Sequence, residues 1–181
     1  MSLIINTICF IFGYIFVTSS LSKFSKFEQH YATVHAYNIV PESTSRLFAR
    51  FDSIIELIIG ICLLIGFALK INLIFSIFLL LIYTLAITIN LFRGRTNIDC
   101  GCGGVVGDAK ISNKLVFRNV IMILILIAIW LQFDYETFSF LFNKQYLFLH
   151  LYLISGIIIY LTIKYLFSLT INIKNIITKG E

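Results

Sequence analysis

Charge is scarce in this sequence. Asp, Glu, Lys and Arg make up 13% of its 181 residues, against about 25% in a soluble domain. Hydrophobic residues make up 59%, so the apolar surface belongs in lipid and the chain reads as an integral membrane protein. The net charge of +5 is spread out. No basic run is interleaved with polar or base-stacking aromatic residues, which excludes nucleic acid as a partner. Four cysteines do not make the disulfide framework of a small secreted domain. There is no C-x-x-C, no C-x-x-C-H haem site, no glycine-rich phosphate loop and no Gly-x-Ser-x-Gly elbow. The N-terminus does not read as a signal peptide: no Lys or Arg precedes Lys23, and no A-x-A-like site follows the first apolar run. No internal repeat is visible.

What is there is a succession of apolar runs. Leu3 to Leu21 is long enough to cross a bilayer, which takes about 20 residues, and Lys23 and Lys26 close it. Residues 24–50 form a polar connection with the single proline, Pro41. Phe24, Phe27, Tyr31, Val34 and Tyr37 recur at spacings of three and four. This predicts an amphipathic helix lying at the membrane interface and ending before Val40-Pro41. A second span runs from Phe51 to Leu69 and contains Glu56 and Cys62; Gly60 and Gly66 would admit a close neighbour helix. Lys70 marks a turn. Leu73 to Phe92 is the third span, ending at Arg93 and Arg95. Lys114 to Phe133 is the fourth, with Arg118 and Asn119 near its start. Tyr146 to Thr170 supplies a fifth, followed by a short basic tail. The fold class expected is an all-α polytopic membrane protein. A four-helix transmembrane bundle occupies residues 1–133, and residues 134–181 add a fifth transmembrane helix and the tail.

The basic residues cluster after spans one and three and in the tail; the opposite side holds only Lys70 and Lys144. By the positive-inside rule the N-terminus lies outside and the C-terminus in the cytoplasm, with the connection after span three on the cytoplasmic side. A bacterial inner membrane is the compartment expected.

That connection carries Asp99-Cys100-Gly101-Cys102-Gly103-Gly104, with Gly107 close behind. Glycine permits backbone angles closed to other residues and lets another backbone or a ligand approach. A Cys-Gly-Cys step can close on itself: a disulfide needs Cα atoms roughly 4.4–6.8 Å apart, and a turned i,i+2 pair falls near the upper limit. Strained, exposed disulfides are the labile and catalytic ones. Arg93 and Arg95 would favour a thiolate here, and Asp99 would oppose it. The plain alternative is a glycine-rich turn that happens to hold two thiols.

These residues resemble the MauE family, the methylamine-utilisation membrane proteins, and more distantly the DoxX-like four-helix membrane proteins. The matching features are Ser22-Lys23-Phe24, Tyr37-Asn38-Ile39-Val40-Pro41, Glu56-Leu57-Ile58-Ile59-Gly60 and Arg93-Gly94-Arg95 leading to the Cys-Gly-Cys loop. Lys114 with Arg118-Asn119 completes the set. Family members read Cys-Gly-Cys-Phe-Gly, whereas Gly103 stands here in place of the aromatic residue. The resemblance implies work with a thioredoxin-like protein or an exported thiol protein, in disulfide formation or electron delivery.

Cys100 and Cys102 are the candidate redox pair of a thiol-disulfide relay. The rival reading is a metal-binding or structural membrane subunit without turnover, with Cys100, Cys102, His30 and His35 as a Cys₂His₂ set. Cys9 and Cys62 lie at equal depth, about 9–11 Å below the outer face at 1.5 Å per residue, so they could touch; buried cysteine is also an ordinary small apolar residue. Glu56 is an intramembrane acid, either handling protons or paired with Arg118. His150 reads as an interface residue. A quinone pocket among the many Phe and Tyr residues has no motif behind it.

Overall fold

The computed structural model describes residues 2–101 and 110–132, with Ser155 and Thr162 besides. Cys102, Gly103, Gly104, Gly107, His150 and, apart from Ser155 and Thr162, the expected fifth span lie outside the described residues. The chain divides into two compact units, Met1–Ser139 and Phe140–Glu181; all the helices described belong to the first.

They run in the order α1 (Ser2–Ser25), α2 (Phe27–Tyr37), α3 (Glu42–Ile65), α4 (Leu69–Phe92) and α5 (Asn113–Leu131). No strand occurs among the described residues; an isolated antiparallel bridge joins Asp99 to Lys110 at the base of the cysteine loop. Helices α1, α4 and α5 are long and apolar enough to cross a membrane. The fold is that of an all-α integral membrane protein.

The helix ends follow from local chemistry. Asn38 takes the left-handed conformation, φ 49°, and its N–H returns to the His35 carbonyl, ending α2. Asparagine tolerates that region better than most residues. Pro41, φ −54°, precedes α3; its fixed φ suits a helix start, and its carbonyl accepts from the Thr44 and Ser45 N–H groups at 3.0 Å. At the other end Gly66, φ 72°, sends its N–H back to the Cys62 carbonyl. Gly66 therefore stops the helix. The turn lies there and at Ala68, φ 45°, so Lys70 falls inside α4 and α4 starts earlier than the sequence predicts.

Gly60 does seat a neighbour. A Cβ on it would lie 2.9 Å from the Val17 backbone nitrogen, and one on Gly13 would lie 2.9 Å from the Gly60 carbonyl oxygen. Helices α1 and α3 touch backbone to backbone at this crossing, the small-residue contact favoured inside membranes. Ser20 Oγ adds a buried hydrogen bond of 2.8 Å to the Ser53 carbonyl. Helix α4 packs on α3 and on α5. Leu63, Leu73, Ile87 and Leu126 fill the interior, while Phe75, Phe78, Leu85 and Leu124 stand on the outer surface, as a lipid environment requires.

Helix α2 packs against α3 and α1. Its buried residues are His30 and Thr33. The expected apolar stripe, Phe27, Tyr31, Val34 and Tyr37, is only half-buried, and Phe24 is exposed. The polar side turns inward because the bundle end beneath it is itself charged. Two arginines of α3 take up the aromatic residues: the Arg46 guanidinium lies 5.5 Å from the Tyr31 ring and that of Arg50 5.5 Å from the Phe27 ring, within cation–π range.

Candidate functional site

A buried cluster of ionisable groups occupies the end of the bundle below α2. Lys23 comes from the last turns of α1, Asp52 and Glu56 from successive turns of α3, and Tyr83 from α4. The i,i+4 spacing puts both acids on one face of α3. Lys23 Nζ lies 2.8 Å from Asp52 Oδ2 and 2.8 Å from Glu56 Oε2, and donates to the Tyr83 hydroxyl at 2.8 Å. Tyr83 Oη in turn donates to Asp52 Oδ1 at 2.6 Å. Of the three protons of the ammonium, two go to hydrogen-bonding acceptors on Asp52 and Tyr83, while Glu56 Oε2 is held at ion-pair distance without a hydrogen bond. The Lys23 and Glu56 side chains are each 3% exposed. Charges so far from water persist only when paired and hydrogen-bonded.

His30 reaches down from α2 onto this cluster. Its Nε2 lies 3.2 Å from Asp52 Oδ2, close but without the alignment of a full hydrogen bond. Its Nδ1 is buried and has no hydrogen-bonding partner. The residue is 8% exposed.

The cysteine loop folds back over the same spot. The Tyr37 hydroxyl donates to the Cys100 carbonyl at 3.0 Å. Gly101 has φ 68°, and a Cβ there would lie 3.1 Å from Thr33 Cγ2 and 3.6 Å from His30 Nδ1. Glycine is thus required both by the backbone angle and by the closeness of α2. Arg93 Nη1 donates to the Asn38 carbonyl at 3.2 Å and Arg95 Nη1 to the Ala36 carbonyl at 3.4 Å. The two arginines bond the C-terminal carbonyls of α2, as cations near a helix C-terminus do; the sequence had offered them to the thiols. Between loop, α2, α3 and α4 lies a cavity. Cys100 and Gly101 line one side, His30, Lys23, Asp52 and Tyr83 the floor, and Val34, Val40 and Ala86 the walls. A second, smaller cavity is lined by Ser19, Glu56, Tyr83, Arg118 and Asn119.

Several expectations change on this geometry. Glu56 is ion-paired with Lys23, a partner that the sequence reading, divided between proton handling and Arg118, did not offer. Helix α1 runs on to Ser25, so Lys23 is carried inside the bundle and does not mark its edge. Arg118 lines the same cavity as Glu56 and donates to Asn119 Oδ1 at 3.3 Å. The two histidines of the Cys₂His₂ set diverge. His30 is buried, whereas His35 sits half-exposed, its Nε2 3.4 Å from Glu42. Five residues apart on a helix, they point well away from each other. Among the described residues no three of His, Cys, Asp and Glu converge as a metal group, so the Cys₂His₂ arrangement is not formed by the ligands that are described. Cys9 and Cys62 are free thiols, Cys9 fully buried in the bundle. Asp52 and Tyr83 escaped the sequence reading. The signal for Asp52 was available: two acids at i,i+4 in an apolar helix need a cation opposite.

The family model of methylamine utilisation protein MauE matches residues 1–131. The chain belongs to the MauE family. Three curated MauE proteins, each called a methylamine utilization protein, are similar to it. That of Paracoccus denitrificans is 31% identical over 115 residues, 64% of this chain and 62% of its own length. That of Paracoccus versutus is 32% identical over 108 residues, 60% of this chain and 58% of its own. That of Methylorubrum extorquens is 31% identical over 102 residues, 56% and 55%. The chain thus spans less than two thirds of the length of these MauE relatives. No solved structure matches it. The comparisons reach MauE and do not extend to the DoxX-like proteins. The MauE match takes in every described helix and the whole Cys-Gly-Cys loop.

Proposed function

We propose that this MauE-family membrane protein is a thiol-disulfide redox relay, in which Cys100 and Cys102 exchange electrons with a thioredoxin-like protein or an exported thiol protein. The observation that carries the reading is the position of Cys100. It lines a cavity together with the buried acid–base group of His30, Asp52, Lys23 and Tyr83. Thiol-disulfide exchange needs a thiolate, and so needs somewhere for the thiol proton to go; a buried imidazole with a vacant ring nitrogen is such a place.

One cysteine thiolate attacks a sulfur of the partner's disulfide, forming a mixed disulfide and releasing a partner thiolate that takes up a proton. The second cysteine, losing its own proton, attacks the first cysteine's sulfur. The Cys100–Cys102 bond forms, the mixed bond breaks, and the partner leaves as a dithiol. The pair has lost two electrons and the partner has gained them; the reverse sequence oxidises the partner. The relatives' name, methylamine utilization protein, supports methylamine utilisation as the process that this relay serves. The positive-inside rule puts the loop on the cytoplasmic side with the N-terminus outside.

The test is to strand the intermediate. One of Cys100→Ser and Cys102→Ser, the one lacking the resolving thiol, is expected to accumulate a reductant-sensitive adduct with a thioredoxin-like protein. Non-reducing gels and mass spectrometry of membranes would read it. Full function of the double variant, with no adduct in either single one, would leave the loop as a turn.

A further inference from the structure

We infer that the cavity beside Cys100 binds a lipid-soluble quinone, and that this quinone takes the electrons of the Cys100–Cys102 dithiol. The inference rests on the relay reading and adds its terminal acceptor. A relay that oxidises its partners must pass two electrons onward at each turn. No metal group is formed among the described residues to receive them, and a membrane offers acceptors dissolved in its own lipid.

Three features of the cavity select this class of ligand. The first is its mouth. Ile39, Phe48 and Ile82 line it and are 44%, 42% and 37% exposed. Phe48 and Ile82 stand on the outer faces of α3 and α4, so entry is sideways from the bilayer. The second is its lining, which like that of small-molecule sites is mostly apolar with a few placed polar groups. The third is a buried imidazole with an unengaged nitrogen. Lys23 donates to Asp52 and Tyr83 and pairs by charge with Glu56, and the Tyr83 proton goes to Asp52. His30 Nε2 lies against Asp52 without a full hydrogen bond, and His30 Nδ1, beside Gly101, has no partner.

A flat apolar ring with a carbonyl at its edge answers all three. A phosphate or carboxylate would need several donors and would meet the Asp52 carboxylate instead. An acyl chain would fill the walls and leave Nδ1 orphaned, which is costly in a buried site. The quinone carbonyl accepts from Nδ1–H in one redox state. The hydroquinone hydroxyl donates to bare Nδ1 in the other, since imidazole serves either way. The step balances: two thiols lose two electrons and two protons and become one disulfide, and the quinone gains both and becomes the hydroquinone. His30 touches the oxygen that receives a proton. Asp52, against its other nitrogen, orients the ring.

The experiment uses the full chain in lipid nanodiscs with a short-chain benzoquinone and its azido derivative. The protein is first reduced and freed of reductant. Wild type is expected to convert one quinone to hydroquinone per chain, with loss of two titratable thiols. The photolabel is expected on α2, α3 or α4 around the cavity. Ala86→Phe, which fills the wall, and His30→Leu, which removes the anchor, are each expected to lower labelling at least fivefold. If Ala86→Phe does not fold, His30→Leu and the mapped wild-type label decide. Labelling elsewhere, undiminished labelling in both variants, or binding without thiol-dependent reduction overturns the inference. Exchange with a thioredoxin-like disulfide, assayed without quinone, separates the two claims. If exchange proceeds and quinone is ignored, this inference alone fails; if exchange is absent, the relay fails with it.

Discussion

The hydroxyl of Tyr37, in the last turn of α2, holds the carbonyl of Cys100 at 3.0 Å across 63 residues of sequence. Arg93 and Arg95 make two further bonds between the same segments. Helix α2 and the cysteine loop are therefore one cover over the buried cluster, tied mainly through backbone carbonyls. Changing the side chain of Cys100 leaves those ties in place, so its chemistry can be tested apart from its position.

Tyr37→Phe removes the tie without emptying the space. A hydrogen bond of this kind contributes about 1 kcal/mol, so the thermal midpoint is expected to fall only slightly. The larger effect is expected on access. Alkylation of Cys100, 7% exposed in the native loop, should accelerate several-fold, read by mass spectrometry over time.

Lys23→Met should be among the most damaging single changes. It leaves Asp52 and Glu56 buried without their cation, a loss on the order of 3–5 kcal/mol. Yield and detergent melting temperature are the readouts. Adding Asp52→Asn and Glu56→Gln to Lys23→Met is expected to recover much of the loss. A triple variant no better than Lys23→Met would show that the charges are not what holds the site.

Glycine substitutions should separate space from backbone strain. At Gly60 an added Cβ meets the Val17 backbone at 2.9 Å, so Gly60→Ala must push α1 and α3 apart; overpacking of this kind costs about 1–3 kcal/mol. At Gly94, φ 71°, a Cβ meets nothing within 4 Å. There Gly94→Ala should cost only about 1–2 kcal/mol, the penalty of a left-handed alanine. Melting temperatures of the two variants, side by side, check the order.

Orientation is open to chemical labelling. On the charge distribution a membrane-impermeant maleimide should reach the loop cysteines only after cells are opened. Labelling in intact cells would reverse the assignment and place the loop on the outer side.

Much of the fold was legible because lipid imposes simple rules. Apolar length gave α1, α4 and α5, and Asn38, Pro41 and Gly66 are readable punctuation. The interior of the site was less so. Hydrophobic periodicity marked α2 as an amphipathic helix at the interface, but not that His30 and Thr33 would be its buried residues, over a charged surface. Lys23 read as a boundary marker, since a lysine after an apolar run usually is one. Only the approach of α1 and α3 at Gly13 and Gly60 shows that it lies opposite two acids. Glu56 stood out as an acid in a span, but its partner depended on a helix pairing that one sequence does not reveal.

The charges on α3 also bear on how the protein is made. Helix α3 is 24 residues long, as long as α1, but Arg46, Arg50, Asp52 and Glu56 lie in its first four turns, and charged residues at depth oppose partition into lipid. Helix α1 leaves the ribosome first, carrying Lys23 and the Gly13 notch into which α3 fits. A reporter of glycosylated loops should find α3 inserted poorly by itself and well behind α1. Biogenesis then proceeds by hairpins, with the earlier helix acting as the solvent for the later one.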